Sequence, residues 1–373
     1  MIRIQKNSIL KDLEKKIVLL VGPRQAGKTF LAKDIARSFS NSVYLNYDQI
    51  IDKKIIKEQA WLNKTDLLIL DELHKMPNWK NYLKGVFDTK PEKMRILVTG
   101  SARLDIYDHM GDSLAGRYFR HRLLPLSLSE LKQAHEPADM ERLINRGGFP
   151  EPYFTEELLD SKRWRVQYIN SLLSTDIFEI ETIHNLKGMQ LVFNLLRNKV
   201  GSPISYQSLA EDVGVSPMTI KKYIQILESI FVIFIVTPFS KNIARSLLKE
   251  PKIYFFDTAL VQGDSGAILE NLVAISLLKA IFARVDNFAE ECALHYLRTK
   301  DGKEVDFVII KDHEIETMIE VKTSDQQISK TLCLFSEKYE KQSVQLVQNI
   351  KNEYKKDTIE VRSVEAYLSE LLL

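Results

Sequence analysis

A glycine-rich loop between a buried strand and a helix constrains the fold of this chain more than any other feature. The run from Ile17 to Val21 is short and apolar, which predicts a fully buried strand. It leads directly into the sequence GPRQAGKT, residues 22–29, and a helical stretch from Phe30 to Ser38 follows. This order of elements and the spacing GxxxxGK[ST] predict a phosphate-binding loop at one edge of a sheet.

The residue types in this loop suit a nucleoside triphosphate. Gly22 and Gly27 allow the backbone to curl, so that N–H groups and the start of the following helix point at phosphate oxygens. Lys28 is expected to reach the β- and γ-phosphates, and the Thr29 hydroxyl is expected to bind Mg²⁺. The sequence therefore predicts ATP and Mg²⁺ as cofactors. The predicted nucleotide contacts are Gly22, Pro23, Arg24, Gln25, Ala26, Gly27, Lys28 and Thr29.

Two later strands end in polar residues that suit the same site. Residues 67–70 are apolar and lead into Asp71 and Glu72. Such a pair often caps a helix, but behind a phosphate loop we expect Asp71 to hold the metal and Glu72 to orient the attacking water. A strand that begins at residue 95 leads to Thr99 and Ser101, and either hydroxyl is well placed to sense the γ-phosphate. The alternative for these two residues is an ordinary Gly-Ser turn.

The strand pattern predicts an α/β fold for the first third of the chain. Strands around Val43 to Asn46 and Phe119 to Leu124 bring the predicted number to five, and helical patterns alternate with them. This is the pattern of a P-loop NTPase with a parallel sheet. At 373 residues the chain is too long for one ordinary domain and is expected to hold two or three.

The motifs together resemble the AAA-type P-loop ATPases of the archaeal-type family. The resemblance rests on GPRQAGKT, on LDE at residues 70–72, on LVTGS at residues 97–101 and on SLAGR at residues 113–117. It implies that Arg117, which ends the last motif, lies near the nucleotide or a neighbouring subunit as an arginine finger. A homo-oligomer is therefore expected as well. Arg103 and Arg120 are alternative fingers, and a surface salt bridge remains an alternative role for Arg117.

The middle of the chain begins with a clear boundary signal. Residues 146–152, RGGFPEP, contain two glycines and two prolines without a helical period, and they resemble the GGFPE linker of the same family. Residues 204–227 have the layout of a helix-turn-helix, in which Gly214 opens the turn and Ser216 caps the second helix. That helix presents Lys221 and Lys222.

A winged-helix domain is predicted from the segments that follow. The β-rich run 231–238, the basic stretch from Lys241 to Lys252 and the strand 253–256 would form the wing. Arg245 and Lys249 add to the local positive charge, so DNA is an expected partner. A docking role without contact to DNA is the alternative, because two basic residues on the second helix are few for a phosphate-binding surface.

The last third contains a short pattern of acids and a lysine. Glu320 and Lys322 are two residues apart on one predicted strand and therefore share a face, and Asp306 lies on the preceding strand. Glu270, on an amphipathic helix, is a fourth candidate. Asp306 and Glu320 would bind Mg²⁺, with Lys322 positioning water.

This D…ExK pattern resembles the restriction-endonuclease and junction-resolvase fold. The C-terminal region as a whole is similar to the domain of unknown function that usually follows the archaeal-type ATPase module. The resemblance implies a restriction-endonuclease-like α/β domain. An active nuclease and a non-catalytic binding module both remain open.

Charge and composition limit the partners. The chain has 52 Lys+Arg against 50 Asp+Glu, a net charge of +2, so DNA contact would have to come from a local patch. The two cysteines, Cys292 and Cys333, have no metal-ligand spacing, as expected in a reducing compartment. The start has no export signal, and the longest apolar run, Ile230 to Val236, is shorter than the roughly 20 residues of a membrane span. We therefore expect a cytoplasmic protein without membrane contact.

The predicted domains and functions follow from these patterns. The domains are an AAA-type ATPase domain (1–145), a linker and helical segment (146–200), a winged helix (201–262) and a restriction-endonuclease-like domain (263–373). The first function hypothesis is a Mg²⁺-dependent ATPase that couples hydrolysis to a C-terminal unit acting on DNA. The second is a nucleotide-operated switch or interaction protein whose C-terminal domain is not catalytic.

Overall fold

The chain divides into two compact units. The computed structural model describes residues 3–61, 63–100, 114–173, 185–240, 250–299, 301–324 and 327–373. The units are Met1–Pro125 and Leu126–Leu373. The glycine-rich segment 146–152, predicted to be the domain boundary, therefore lies inside the second unit. The backbone N–H of Leu126 donates to the carbonyl of Gly148 over 2.6 Å, which ties the start of the second unit to that segment.

The described residues of the first unit contain a parallel sheet of five strands. The strands are β1 (Ile17–Val21), β2 (Ser42–Asn46), β3 (Leu67–Asp71), β4 (Arg95–Gly100) and β5 (Tyr118–Arg122). They lie in the order β2-β3-β4-β1-β5, and each neighbouring pair is parallel. The predicted parallel α/β sheet is thus confirmed.

Helices cover both faces of this sheet. They are α1 (Lys6–Leu13), α2 (Lys28–Ala36), α3 (Ile50–Glu58) and α4 (Trp79–Thr89). On one face Ile9 and Leu31 pack against Leu20 of β1, and on the other Leu83 packs in one cluster with Leu19. Because both faces are buried, the central strands β1 and β3 are almost continuously apolar instead of alternating, whereas the outer strands β2 and β5 carry polar residues.

The strand register brings the predicted site residues to one edge. Val21 pairs with Gly100, and Asp71 pairs with Thr99. The phosphate loop follows β1 directly, so the loop, Asp71 and Thr99 all lie at the carboxyl ends of their strands. Ligands bind at this edge in open α/β sheets.

The second unit begins with helices. Its described helices are α5 (Leu128–Gln133), α6 (Met140–Arg146), α7 (Pro150–Phe154), α8 (Leu158–Ser171), α9 (Leu186–Arg197), α10 (Tyr206–Val213), α11 (Pro217–Ser229), α12 (Ser265–Phe288), α13 (Lys330–Tyr339) and α14 (Val364–Glu370). The predicted helix-turn-helix corresponds to α10 and α11. Gly214 has a left-handed φ of 72°, and the Ser216 hydroxyl accepts a hydrogen bond from Thr219 N at 3.1 Å.

A mixed sheet of eight described strands forms the rest of this unit. The strands are β6 (Ile233–Pro238), β7 (Lys252–Phe255), β8 (Cys292–Arg298), β9 (Glu304–Lys311), β10 (Glu314–Ser324), β11 (Ser343–Asn349), β12 (Tyr354–Lys356) and β13 (Ile359–Ser363). Their order is β12-β13-β11-β10-β9-β8-β6-β7.

The two strands predicted as a separate wing belong to this larger sheet. β6 and β7 pair antiparallel, as a wing requires, but β6 also pairs with β8 in parallel through Thr237 and Pro238. The strand is mostly buried, so it needs neighbours that a small isolated wing would not supply. The predicted basic residues Lys241, Arg245 and Lys249 lie outside the described residues, whereas Lys252 begins β7.

Helix α12 is the longest helix of the described chain. Its 24 residues are apolar enough to cross a membrane by length and composition, but most of the candidate span is buried inside the unit. It also carries buried polar groups: Lys279 forms an ion pair with Glu130, and Asn271 hydrogen-bonds both backbone groups of Phe255. A mostly buried helix whose polar groups are paired in this way packs as a core helix of the unit.

Candidate functional site

The phosphate loop has the backbone conformation that its glycines predict. Gly22 has φ +150° and Gly27 has φ +96°, and Gln25 between them is left-handed at 61°. A Cβ on Gly22 would lie 2.2 Å from the carbonyl oxygen of Leu123, so only glycine fits against β5 there. The loop ends where α2 begins at Lys28, and the free N–H groups of a helix start favour a phosphate.

Two cationic side chains are tied to this loop. The Lys28 ammonium is buried and donates to the carbonyls of Gly22 at 2.9 Å and Pro23 at 2.8 Å. The buried guanidinium of Arg3 donates to the carbonyls of Ala26 at 2.6 Å and Leu124 at 2.7 Å. Arg3 was not predicted from the sequence, because its position near the start of the chain gives no sign that it supports a loop more than twenty residues away.

Asp71 is the centre of a hydrogen-bonded group of hydroxyls. It is 3% exposed, and its Oδ2 accepts from Thr29 Oγ1 at 2.9 Å and from the Tyr44 phenol at 2.5 Å. Its other oxygen accepts from the Thr99 hydroxyl. Burial, followed by the hydrogen bond to Asp71, raises the pKa of Tyr44 well above its usual range. The structure thus brings together Thr29, Asp71 and Thr99 as predicted, and adds Tyr44, which sequence analysis did not identify.

Glu72 follows Asp71 in a constrained turn. It has a left-handed φ of 56°, and its N–H donates to the Thr99 carbonyl at 3.0 Å. Its Oε2 is buried without a hydrogen-bond partner in the described structure, and it lies 3.6 Å from both His74 Nε2 and Lys75 Nζ. Burial raises the pKa of this carboxyl, although the charges of Lys28 and Lys75 oppose the shift. A carboxyl with a raised pKa and a free oxygen suits a general base.

The predicted arginine finger lies at the other edge of the sheet. The carbonyl of Arg117 accepts from Ile17 N at 3.1 Å, at the amino end of β1, about 13 Å of strand away from the loop. Its side chain pairs with Asp88 at 3.0 Å. Arg120 lies in the middle of β5, opposite Leu19. Ser101 and Arg103 lie outside the described residues. Neither described arginine is therefore at the loop of its own chain.

The residues at the loop fit a nucleotide with Mg²⁺. Thr29 Oγ1 and the Asp71 carboxylate are already in contact, so both oxygens could reach one cation. Lys28 lies beside them with its ammonium on the loop. Hard oxygen ligands next to a lysine and a curled loop are the donor set that Mg²⁺ and a triphosphate require.

The second unit contains the four predicted nuclease residues in one cluster. Lys322 donates to Glu320 Oε1 at 2.7 Å, and the N–H of Val321 between these two residues donates to Asp306 Oδ2 at 2.8 Å. Burial, followed by the charge of Asp306, raises the pKa of both Glu270 and Glu320 to about 7. The structure therefore brings Glu270, Asp306, Glu320 and Lys322 into one cluster.

A lysine that was not predicted to belong to this cluster lies at its centre. The Lys252 ammonium is 2.7 Å from Glu304 Oε1, 3.3 Å from Glu270 Oε1 and 3.8 Å from Asp306 Oδ1. Burial alone would lower the pKa of Lys252, but these three carboxylates together raise it above its ordinary value. Sequence analysis had placed Lys252 in a basic wing, since its strand is far from the acids in sequence.

The acids of this cluster do not fit a metal ion as they stand. Among the described residues, no group of three or more His, Cys, Asp or Glu side chains is arranged to hold one. The position between the carboxylates is taken by an ammonium group. We therefore derive no cleavage chemistry from Asp306, Glu320 and Lys322.

Comparisons with known proteins give family matches to three successive parts of the chain. Residues 14–132 match the family model of an AAA domain. Residues 137–266 and 265–367 match two domains of unknown function, DUF8612 and DUF4143. The first part of the chain is therefore similar to an AAA domain, which supports a P-loop ATPase, while neither later family description mentions a winged helix or a nuclease.

The related proteins are uncharacterised. A protein of Mycobacterium tuberculosis is 28% identical over 302 residues, which cover 79% of this chain and 67% of that protein. A protein of Methanocaldococcus jannaschii is 25% identical over 346 residues, which cover 83% of this chain and 76% of that protein.

Two solved structures show distant similarity. A Walker-type ATPase of Pyrococcus abyssi aligns with a TM-score of 0.43 and 12% identity over 69% of this chain and 93% of that chain. The RuvB Holliday junction branch migration motor of Thermotoga maritima aligns with a TM-score of 0.34 and 20% identity, over 66% of this chain and 96% of that chain.

Proposed function

We propose that this chain, whose residues 14–132 match the model of an AAA domain, binds ATP with Mg²⁺ and hydrolyses it to drive or gate its second unit. The observation that carries this proposal is the buried Asp71 carboxylate, which contacts Thr29 at 2.9 Å directly beside the lysine of the phosphate loop. Buried carboxylates are costly unless they have partners, and here the partners are hydroxyls of the nucleotide site.

Each residue has a distinct role in this proposal. The loop from Gly22 to Thr29 binds the phosphates through its N–H groups, and Lys28 exchanges its loop carbonyls for phosphate oxygens. Thr29 and Asp71 hold Mg²⁺, which when bound neutralises charge on the phosphates. Thr99, together with Ser101, supplies hydroxyls near the γ-phosphate.

Glu72 orients and deprotonates the attacking water in this scheme. Its buried Oε2 has no hydrogen-bond partner in the described structure, so it can accept one from water. The raised pKa of this carboxyl makes it a stronger base than an exposed glutamate. The backbone N–H of Glu72 donates to the Thr99 carbonyl at 3.0 Å, which ties this residue to the end of β4.

Two substitutions test the ATPase. Lys28→Ala is expected to weaken ATP binding tenfold or more, because it removes a charge-assisted contact worth roughly 1.5–3 kcal/mol. Glu72→Gln is expected to bind ATP normally and to lower kcat by about 10² to 10⁴. Lys57→Ala and Glu58→Gln, at exposed positions of α3, are the matched controls. Hydrolysis at the wild-type rate in both site variants would refute the proposal.

DNA is the partner that we propose for the helix-turn-helix. Helix α11 begins at Pro217, directly after the capping residue Ser216. It exposes Lys221 and Lys222 in the way that a recognition helix presents its side chains. Two lysines neutralise few phosphates, so binding is expected to be weak and sensitive to salt unless several copies assemble. A homo-oligomer would supply those copies.

DNA-stimulated hydrolysis tests this partner. We expect linear or branched DNA to raise kcat, and the double variant Lys221→Glu, Lys222→Glu to abolish the stimulation while basal hydrolysis stays unchanged. Lys355→Glu, Lys356→Glu on the exposed β12 carries the same charge change as a control. If DNA has no effect on hydrolysis or binding, the alternative is favoured: a nucleotide-operated switch that acts on another protein.

A further inference from the structure

The acidic cluster of the second unit is built around an internal cation. We propose that the Lys252 ammonium occupies the position that a divalent metal has in D…ExK nucleases, so that this cluster takes no metal and does not cleave DNA by metal-dependent chemistry. The proposal concerns the second unit alone and does not depend on the proposed ATPase activity.

The contacts of Lys252 are those of a bound cation. Its Nζ faces carboxylate oxygens from two elements: Glu270 on α12, and Glu304 and Asp306 on β9. The lysine is 1% exposed, so its charge is balanced by these groups and not by water. An ammonium and a divalent cation would compete for the same oxygens. The ammonium has the advantage, because it is covalently attached to the chain and is always present at the site.

Other donors of the chain also engage oxygens of these acids. The Tyr254 phenol donates to Glu270 Oε1 at 2.6 Å, and Val321 N–H donates to Asp306 Oδ2 at 2.8 Å. Lys322, which would position water in a nuclease, instead donates to Glu320 Oε1 at 2.7 Å. The other oxygen of that carboxylate, Glu320 Oε2, is buried without a hydrogen-bond partner among the described residues. Each acid of the D…ExK pair therefore has at least one oxygen engaged by the chain itself.

The backbone closes the cluster on the side of Glu270. A Cβ on Gly201 would lie 2.7 Å and 2.8 Å from the two carboxylate oxygens of Glu270, so the chain passes directly against this group. Gly201 has φ +75°, a conformation that favours glycine. Little space therefore remains at Glu270 for a hydrated cation, and Mg²⁺ usually keeps several waters.

Removing the ammonium while keeping the acids tests the assignment. Lys252→Ala removes the ammonium, vacates its space and leaves three carboxylates without their cation, so the second unit is expected to lose stability. We expect Mn²⁺ to restore it, with a rise in Tm of about 5 °C or more at saturating metal, whereas Mn²⁺ leaves the wild-type Tm unchanged. Measurements use the full chain without nucleotide. A folded Lys252→Ala protein that Mn²⁺ does not stabilise would overturn the proposal.

Lys279→Ala is the matched control. Lys279 is also a buried lysine of the second unit, but it pairs with the single carboxylate of Glu130. This variant is expected to lose stability and to gain none from Mn²⁺, because one carboxylate holds a divalent ion weakly. Equal stabilisation of both variants would show that the effect of Mn²⁺ does not come from the Lys252 position.

A second measurement applies if Lys252→Ala fails to fold. Calorimetry compares Mn²⁺ binding by the wild-type chain and by Asp306→Asn, and we expect the two to bind Mn²⁺ equally. With linear, nicked or branched DNA and Mg²⁺ or Mn²⁺, we expect no cleavage that Asp306→Asn abolishes. Metal binding or DNA cleavage that depends on Asp306 would reject the assignment. Loss of ATP hydrolysis in the Glu72 and Lys28 variants is independent of both results.

Discussion

The Tyr44 phenol donates a hydrogen bond of 2.5 Å to Oδ2 of Asp71, the same oxygen that accepts from Thr29. Tyr44 lies on β2 and Asp71 on the neighbouring β3, so the contact joins two strands of the sheet. It holds the carboxylate in one orientation before any ligand arrives. Tyr44 is therefore a positioning residue for the proposed metal ligand.

Tyr44→Phe is expected to raise the Mg²⁺ concentration that gives half-maximal ATP hydrolysis by about tenfold, since a hydrogen bond to a charged group contributes roughly 1.5–3 kcal/mol. The KM for ATP at saturating Mg²⁺ should change less. Tyr82→Phe is the control, because its hydroxyl donates to the Ile56 carbonyl in the same unit and does not touch Asp71. An unchanged Mg²⁺ dependence in Tyr44→Phe would show that Asp71 is held by the threonines alone.

Gly22→Ala is expected to abolish ATP binding and to lower the Tm of the first unit. The new Cβ would meet a backbone oxygen, that of Leu123, at 2.2 Å, and a backbone atom cannot rotate away. Gly85→Ala in α4 is the control, since a Cβ there meets nothing within 4 Å and should stabilise the helix by up to about 1 kcal/mol. ATP affinity and thermal unfolding measure both effects. A Gly22→Ala protein with normal affinity would contradict the loop geometry.

Arg117→Ala is expected to lower kcat by about 10³ without changing the KM for ATP. The lost arginine would be the one that reaches the nucleotide of a neighbouring subunit. Arg117 lies at the amino edge of the sheet and cannot serve the loop of its own chain. Mixing Arg117→Ala subunits with Lys28→Ala subunits should restore hydrolysis, because each supplies the group that the other lacks. Arg95→Ala is the control, since Arg95 is paired with Glu14 at the same edge. Full activity of Arg117→Ala would leave this residue as a salt-bridge partner of Asp88.

Glu228→Gln is expected to stabilise the second unit more at pH 8 than at pH 5. Burial raises the pKa of Glu228 from its ordinary 4.5 to about 7, so the folded state keeps a proton that the unfolded state releases. The free energy of unfolding therefore falls as the pH rises from about 4.5 to about 7, and it is constant above that range. The total fall is at most about 3 kcal/mol, at 1.36 kcal/mol per pH unit. Urea unfolding at both pH values measures the difference.

Glu211→Gln, at an exposed position of α10, is the control for this effect and should show the same stability change at both pH values. A Glu228→Gln protein whose gain is equal at pH 5 and pH 8 would mean that Glu228 is not buried as a neutral acid.

Local patterns predicted the elements that bear the chemistry. Strand β1 and the phosphate loop lie within one stretch of 13 residues, from Ile17 to Thr29, and short-range sterics and burial are sufficient to define them. The same holds for the cap at Ser216 and the turn at Gly214, where one residue type satisfies one backbone group. The position of Asp71 and Glu72 at the carboxyl end of β3 also followed, because a strand that ends in acids has only one edge at which to place them.

Long-range contacts were not visible in the sequence. Arg3 supports the loop at Ala26, and Tyr44 reaches Asp71 across a strand pair, without any shared motif. Lys252 belongs to a basic stretch in sequence but to an acidic cluster in space. The predicted wing strands β6 and β7 likewise joined a larger sheet, because pairing with β8 buries a strand that a separate wing would leave half exposed.

The sequence by itself determined the parallel sheet, the phosphate loop and the carboxylates that follow β3, since each depends on a contiguous pattern of burial and backbone freedom. The tertiary structure alone decided which charges meet. It set Arg117 at the edge opposite to the loop, because β5 runs parallel to β1 and begins beside Ile17. It also placed the Lys252 ammonium between Glu270 and Glu304, where the energy of a buried charge depends on distances between residues that are remote in the chain.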